Sequence, residues 1–169
     1  MHLHPHQVNA QRIANGADTL TPEKNYAVLD CLREAERPIH ISEVTITAPE
    51  DSAAGWAIQA ELTRNLYRLW FSYPDVMGIT WWNMVDGGAA PGEPSFSGLY
   101  DTNMVQKPVY HTLEKLIHQD WKTRLTLRAE AGKPLLFRGF KGGYRASWKD
   151  ASGATAQREF DLVKDGKVV

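Results

Sequence analysis

The chain has 169 residues, with 19 Lys plus Arg against 20 Asp plus Glu and 43% apolar residues; that suits one domain, or one domain with a small appendage, able to bury roughly two thirds of the unfolded chain's surface. The formal charge of −1 gives no broad attraction to nucleic acid or to an anionic membrane, and no apolar run approaches the ~18 residues that a span requires. A single cysteine, Cys31, excludes a disulfide framework within the chain and any multi-cysteine zinc site.

The opening residues, MHLHPHQ, lack the basic-then-apolar tandem of a secretory leader, so none is expected in this stretch. Residues 1–4 read as the remnant of a strand. The first helix is signalled at Thr21-Pro22-Glu23: Thr21 suits the cap, Pro22 the first turn, and Glu23 the positive end of the helix dipole. Tyr26, Leu29 and Leu32, with Val28 beside them, form its expected apolar face, and Arg37-Pro38 ends it. Residues 39–44 are a short β-branched run and read as a strand. A Pro/Asp/Ser/Gly loop at 48–55 precedes a second helix with Ile58, Leu62, Leu66 and Leu69 on one face. Tyr73-Pro74-Asp75 breaks it, and residues 76–82 form the second clear strand. A Gly/Pro/Ser loop covers 86–98. Lys107-Pro108 opens a third helix, with Val109, Leu113, Leu116 and Ile117 inward.

Strands alternating with helical patterns imply parallel βαβ units, and apolar residues at consecutive strand positions imply a sheet covered on both faces. The expected class is therefore α/β over residues 1–121. From residue 122 to 169 the pattern changes to alternation punctuated by Gly. Residues 123–128, 135–140, 144–148 and 158–162 are strand candidates, with turns at Gly132-Lys133, Gly142-Gly143, Ser152-Gly153 and Asp165-Gly166. This part reads as a small antiparallel β-module.

Four sets of residues are candidates for chemistry. Glu43 follows an apolar run near the C-terminal end of a parallel strand, the end that faces the site in α/β sheets and barrels. A carboxylate that caps a loop or pairs with an arginine accounts for it as well. Trp81 and Trp82 are adjacent on a strand, so their rings point to opposite faces. One would look into a barrel, as a flat wall for a sugar, and the other outward into helices; core packing of both is the alternative. Six Trp, six Tyr and five Phe allow either use. His2, His4 and His6 alternate and share a strand face, which offers a metal pair or an imidazole that orients a carboxylate. No further residue at ligand spacing completes a metal site, so no metal is assigned. Asp86 and Asp101 lie near the same rim, and Asp86 is suited to orienting a cation or hydroxyl, or to satisfying loop amides. His40 reads as a satisfied strand histidine, and the cations of residues 122–169 as a solvated face.

In order and spacing these segments resemble glycoside hydrolase family 10, the retaining endo-β-1,4-xylanases. Pro38-Ile39-His40-Ile41-Ser42-Glu43-Val44-Thr45 is similar to the family's nucleophile strand, Pro-Ile-x-Ile-Thr-Glu-Leu-Asp. Gly78-Ile79-Thr80-Trp81-Trp82-Asn83 is similar to its last strand, and Lys107-Pro108-x-Tyr110-His111 to the opening of its final helix. The first residues resemble its Gln-x-His strand, cut after the Gln. The resemblance implies the last three βα units of a TIM (β/α)8 barrel over residues 1 to about 119, followed by an accessory β-module. It implies that Glu43 is the nucleophile and that His2 orients it. It implies that Trp82 walls the sugar subsite, with Trp81, His4, Asp86 and Phe96 as further substrate contacts. Hydrolysis of xylan or xylo-oligosaccharide needs no cofactor, and family members are exported, which sets an extracellular or periplasmic expectation.

The sequence departs from the family at three places. Thr45 replaces an Asp, Asn83 replaces a Gly, and Ser95-Phe96 stands where the family has Ser-Trp. The strand carrying the family's acid/base, an Asn-Glu pair, has no counterpart in these residues. Glu50, Glu61 and Glu93 lie on loop or helix positions that do not face Glu43. Two alternatives follow: a non-catalytic carbohydrate-binding or accessory fragment, and a metal-dependent hydrolase built on His2, His4 and His6. Three strands cut from a barrel also leave open edges, so association with the missing N-terminal half or with a second copy is expected.

Overall fold

The computed structural model describes residues 2–3, 20–89, 91, 95–130 and 132–163. Two compact units divide the chain at Leu116 and Ile117, a few residues before the 121/122 boundary read from composition.

The first unit is α/β. Its elements are β1 (His2–Leu3), α1 (Pro22–Arg33), β2 (Ile39–Ile46), α2 (Ala53–Ser72), β3 (Val76–Trp81) and α3 (Pro108–Lys115). The strands form one parallel sheet in the order β1-β2-β3. Thr21 takes the N-cap position of α1 with extended backbone and Pro22 begins the helix, although the Thr21 side chain makes no capping bond. Ser52 caps α2 through its hydroxyl, which accepts the Gly55 amide at 3.1 Å. Lys107 precedes α3 and Pro108 opens it, with its fixed φ already helical. Among the described residues no helix is long and apolar enough to cross a membrane.

The sheet's packing side is set by Ile39, Ile41, Val44 and Ile46 of β2, all buried. Their spacing is not a plain alternation. β2 pairs Ile41 with Ile79 and Val44 with Trp81, so three residues of β2 span two of β3. This is a β-bulge, one extra residue that re-aims the side chains beyond it. Without it Glu43 would share the face of Ile39 and Ile41. With it, Ser42 (exposed) and Glu43 (half-buried) both fall between the buried Ile41 and Val44. A second irregularity lies between the pairs Ile39–Val76 and His40–Gly78, where β3 carries the extra residue.

All three helix faces differ in part from the sequence expectation. On α1 only Leu29 of the expected stripe is buried, while Tyr26, Val28 and Leu32 are exposed. The other buried α1 residue is Asn25, whose Oδ1 accepts the Trp70 indole N–H at 3.0 Å. On α2 the buried stripe runs through Gly55, Gln59, Ala60, Thr63, Leu66, Tyr67 and Trp70, and Ile58 is exposed. The helix is rotated toward its small and polar residues because Gln59 finds backbone carbonyls to serve. On α3 the buried residues are Val109 and Leu113, followed by Leu116; Ile117 is exposed, as the chain changes there to a π-helical turn over Leu116–Asp120.

The second unit contains a two-stranded antiparallel hairpin, β4 (Gly142–Lys149) and β5 (Thr155–Leu162). Residues 123–128 and 135–140 alternate in sequence but form no strand. Alternation specifies a face, not a partner, and no ladder is available to them here. Tyr144 stacks on Phe160 at 5.5 Å between ring centres, and Phe137 packs at 5.5 Å from Tyr144. These rings supply the small apolar cluster of this unit.

Candidate functional site

The site is built where β2 and β3 run side by side. Val44 pairs with Trp81, and the Trp82 amide donates to the Val44 carbonyl at 2.9 Å. Val44 is fully buried. Trp81 faces the same way: its ring lies 6.4 Å from that of Tyr67 on α2, and its Nε1 donates to the carbonyls of Asn83 at 2.8 Å and Ser97 at 3.2 Å. Neighbours along an extended chain point to opposite faces. Glu43, one residue before Val44, and Trp82, one after Trp81, therefore stand together on the face away from α2. Trp82 is 50% exposed, an indole not taken up by the core. Of the two tryptophans Trp81 is thus the one turned toward the helices, packing near Tyr67 rather than serving as the further substrate contact that the resemblance implied.

Glu43 lies three residues before the end of β2, since the strand continues to Ile46 rather than stopping at Val44. Beyond it Thr45 and Thr47 are fully buried, and the Thr45 hydroxyl has no hydrogen-bond partner among the described residues. On β1, His2 pairs through its backbone with Thr45. That places His2 on the strand next to the Glu43 strand; its side chain, like the whole of His4 and His6, lies outside the described residues. Toward the other end of the strands, His40 Nε2 is 2.9 Å from Thr80 Oγ1. Gly78 makes room for the imidazole, since a Cβ there would come within 3.0 Å of the His40 ring.

Asp86 is not at the surface. It is 6% exposed, and both carboxylate oxygens accept from Lys107 Nζ, at 3.0 and 2.8 Å. Oδ1 also accepts the Gly98 amide at 2.7 Å. The loop-amide use weighed from the sequence is realised, and a cation is present as well; this carboxylate is occupied by the protein rather than by a substrate, because a buried charge is retained only when paired. Phe96 contributes through its carbonyl, which accepts from the Ala48 amide at 2.9 Å and Gln59 Nε2 at 3.3 Å, with Lys107 Nζ at 3.5 Å. The Phe96 side chain is half-buried.

Sequence reasoning missed Lys107 and Gln59. Lys107 is 1% exposed, and its ammonium also lies 5.8 Å from the centre of the Trp56 ring. Gln59 Nε2 donates to the Ile46 carbonyl at 2.8 Å and lies 3.5 Å from that of Gly98. Asn83 is buried and donates from Nδ2 to Ser97 Oγ at 2.7 Å. A signal for Lys107 was available: one Lys directly before a helix-opening Pro, closing a long loop that begins at an Asp. Nothing in the pattern around Gln59 marks it out.

The carboxylates expected not to face Glu43 are engaged elsewhere. Glu50 Oε1 accepts the Ser52 hydroxyl at 2.6 Å, and Glu61 pairs with Arg64 at 2.7 Å; Glu93 lies outside the described residues. Among the described residues no group of three His, Cys, Asp or Glu is placed to hold a metal ion.

No family model matches the chain, and no curated protein matches it. Among solved structures it is similar to a Faecalibacterium prausnitzii Beta-glucuronidase, at TM-score 0.49 and 21% identity over 68% of this chain and 20% of that one. It is also similar to a variant of GH5_18 from Streptomyces cattleya in complex with Manb1-4GlcNAc, at TM-score 0.43 and 28% identity over 56% of this chain and 23% of that one. The chain spans less than a quarter of the length of either structure.

Proposed function

We propose that residues 1–116 are part of a retaining β-glycosidase, an endo-β-1,4-xylanase-like hydrolase of polysaccharide breakdown, with Glu43 as its nucleophile. The observation that carries the reading is that Glu43 and the exposed Trp82 each stand a single residue from the Val44–Trp81 pair, from which strand alternation puts them on one face. The strand sequences around them, with their likeness to family 10 glycosidases, supply the chemical roles. In the proposed reaction a Glu43 oxygen attacks the anomeric carbon as the bond to the leaving oxygen breaks. Water then hydrolyses the glycosyl ester, with overall retention and no cofactor. Trp82 stacks on the sugar beside the scissile bond, and His2, on the adjacent strand, orients the carboxylate.

Retention needs a second carboxyl group about 5–5.5 Å away to protonate the leaving oxygen. The reading assigns the proton donor to another segment of a fuller barrel, because no pair in this sequence is similar to the family's Asn-Glu. The partners of this unit are thus a xylan-type glycan and the remaining strands, or a second copy that covers the open sheet. Export from the cell fits such a substrate.

An activated substrate tests the nucleophile separately from the missing acid. A 2,4-dinitrophenyl 2-deoxy-2-fluoro-β-xylobioside has a leaving group that departs without protonation. The full chain should gain one fluoroxylobiosyl group on the peptide that contains Glu43, and Glu43→Gln should abolish it. The exposed Trp82 ring on its own favours a second reading, a glycan-binding fragment without catalysis. Retention of the chain on insoluble xylan with no label on Glu43 gives that reading, and neither label nor retention overturns both.

A further inference from the structure

The residues on either side of Trp82 are both fastened to one loop. Trp81 Nε1 reaches the Ser97 carbonyl at 3.2 Å, and Asn83 Nδ2 reaches the Ser97 hydroxyl at 2.7 Å. Ser97 itself is 1% exposed. The loop has few alternative paths. A Cβ on Gly98 would fall 2.3 Å from the Asp86 nitrogen and 2.5 Å from the Val85 carbonyl carbon, so the chain passes where only glycine fits. Three further clamps hold it. Asp86 Oδ1 accepts the Gly98 amide, the Leu99 amide donates to the Met84 carbonyl at 2.9 Å, and the Ala48 amide donates to the Phe96 carbonyl at 2.9 Å. Lys107 closes the arrangement from the far end of the loop: its amide donates to the Leu99 carbonyl at 2.9 Å, and its ammonium neutralises Asp86.

We propose that the buried Lys107–Asp86 pair is a positioning device for Trp82, acting through residues 95–99 and Ser97 in particular. The inference rests on the glycan-binding role of Trp82 proposed above and deepens it. A stacking platform binds well only when its plane is already fixed, because ordering a mobile ring subtracts from affinity. Trp82 projects into the open, so its own ring is not clamped by core packing. Its backbone is clamped instead: at Val44 on one strand, and at Trp81 and Asn83 by the loop that the ion pair holds. Lys107 and Asp86 thereby set sugar affinity without touching sugar.

The test uses the full chain labelled with 5-fluorotryptophan, whose six Trp give separate fluorine resonances; Trp82→Phe identifies the Trp82 signal. Ser97→Ala removes the bond to Asn83 and leaves the ion pair in place. It should shift and broaden the Trp82 resonance and weaken xylohexaose binding about five- to tenfold, the scale of one lost hydrogen bond. Lys107→Met should do the same more strongly; if it fails to fold, Lys107→Met combined with Asp86→Asn, which strands no charge, tests the pair in its place. Tyr73→Phe, which loses its 2.7 Å bond to Asp30 at the other end of β3, is the control. It should lower thermal stability without moving the Trp82 resonance. An unchanged Trp82 resonance in Ser97→Ala overturns the positioning role. Absence of xylohexaose binding by the unsubstituted chain overturns the glycan reading instead, and the fluorine comparison still decides the positioning.

Discussion

Trp70 and Asn25 meet in the interior of the first unit, where the indole Nε1 donates to the amide Oδ1 at 3.0 Å and joins α2 to α1. Trp70 is fully buried and Asn25 nearly so. The other end of the same amide donates to the Thr21 carbonyl at 2.9 Å. One side chain thus supplies both an interhelical bond and a tie to the start of α1, where Thr21 itself offers no capping bond.

Asn25→Ala should therefore cost about 1–3 kcal/mol, because it leaves a buried indole N–H without an acceptor. Asn25→Ala combined with Trp70→Phe removes the stranded donor along with its partner. A double-mutant cycle by urea denaturation should show coupling between the two sites. Strict additivity would mean that the bond contributes nothing.

Lys107→Met should destabilise the first unit by about 3–5 kcal/mol, since it strands the Asp86 carboxylate in a site with almost no solvent. Adding Asp86→Asn should recover much of that loss, because the neutral amide still accepts the Gly98 amide and no unpaired charge remains. Chemical denaturation of the single and double variants checks both statements. A double variant no more stable than Lys107→Met contradicts the account of a stranded charge.

The β4–β5 turn should loosen in acid. Asp150 is held below the usual carboxylate range, chiefly by the Ser152 hydroxyl at 2.6 Å, then by the Ser152 and Ala154 amides at 2.8 and 3.1 Å. A carboxyl depressed in the folded state stabilises it above the unfolded pKa. That contribution disappears as pH falls through the lower, folded value. The amide resonances of Ser152 and Ala154 should thus titrate together below the ordinary aspartate range, and Asp150→Asn should abolish the transition. Titration at the ordinary value would contradict the assigned cause.

The first unit should not remain a monodisperse monomer. Tyr26, Val28 and Leu32 are exposed on α1, and β1 and β3 are the outer strands of the sheet among the described residues. Sedimentation at increasing concentration should show self-association. A well-folded monomer at all concentrations would remove the expectation.

Much of the first unit was legible in the sequence. Pro22 and Pro108 place two helix starts, and the apolar runs before Glu43 and Trp81 place two parallel strands. These signals are local and survive whatever packs around them. The helix faces were not legible in the same way. Hydrophobicity put Ile58 inside α2, but Gln59 is the buried neighbour because the Ile46 carbonyl needs a donor at that spot. Such a requirement arises only when strand and helix meet. The role of Asp86 was half legible, since its loop amide could be anticipated while its cation lies 21 positions away. In the second unit, alternation at residues 123–128 was indistinguishable from that at 144–148, yet only the latter is in a strand.

The extra residue in β2 also governs how this strand can be transplanted. His40 and Ile41 pair in one register with β3 and Val44 pairs in a register shifted by one residue. A chimaera that inherits residues 39–43 but pairs them without the irregularity would turn its acid toward the helices, with every amino acid type conserved. Sequence identity would report a perfect copy, while the carboxylate of residue 43 would be on the other side of the sheet.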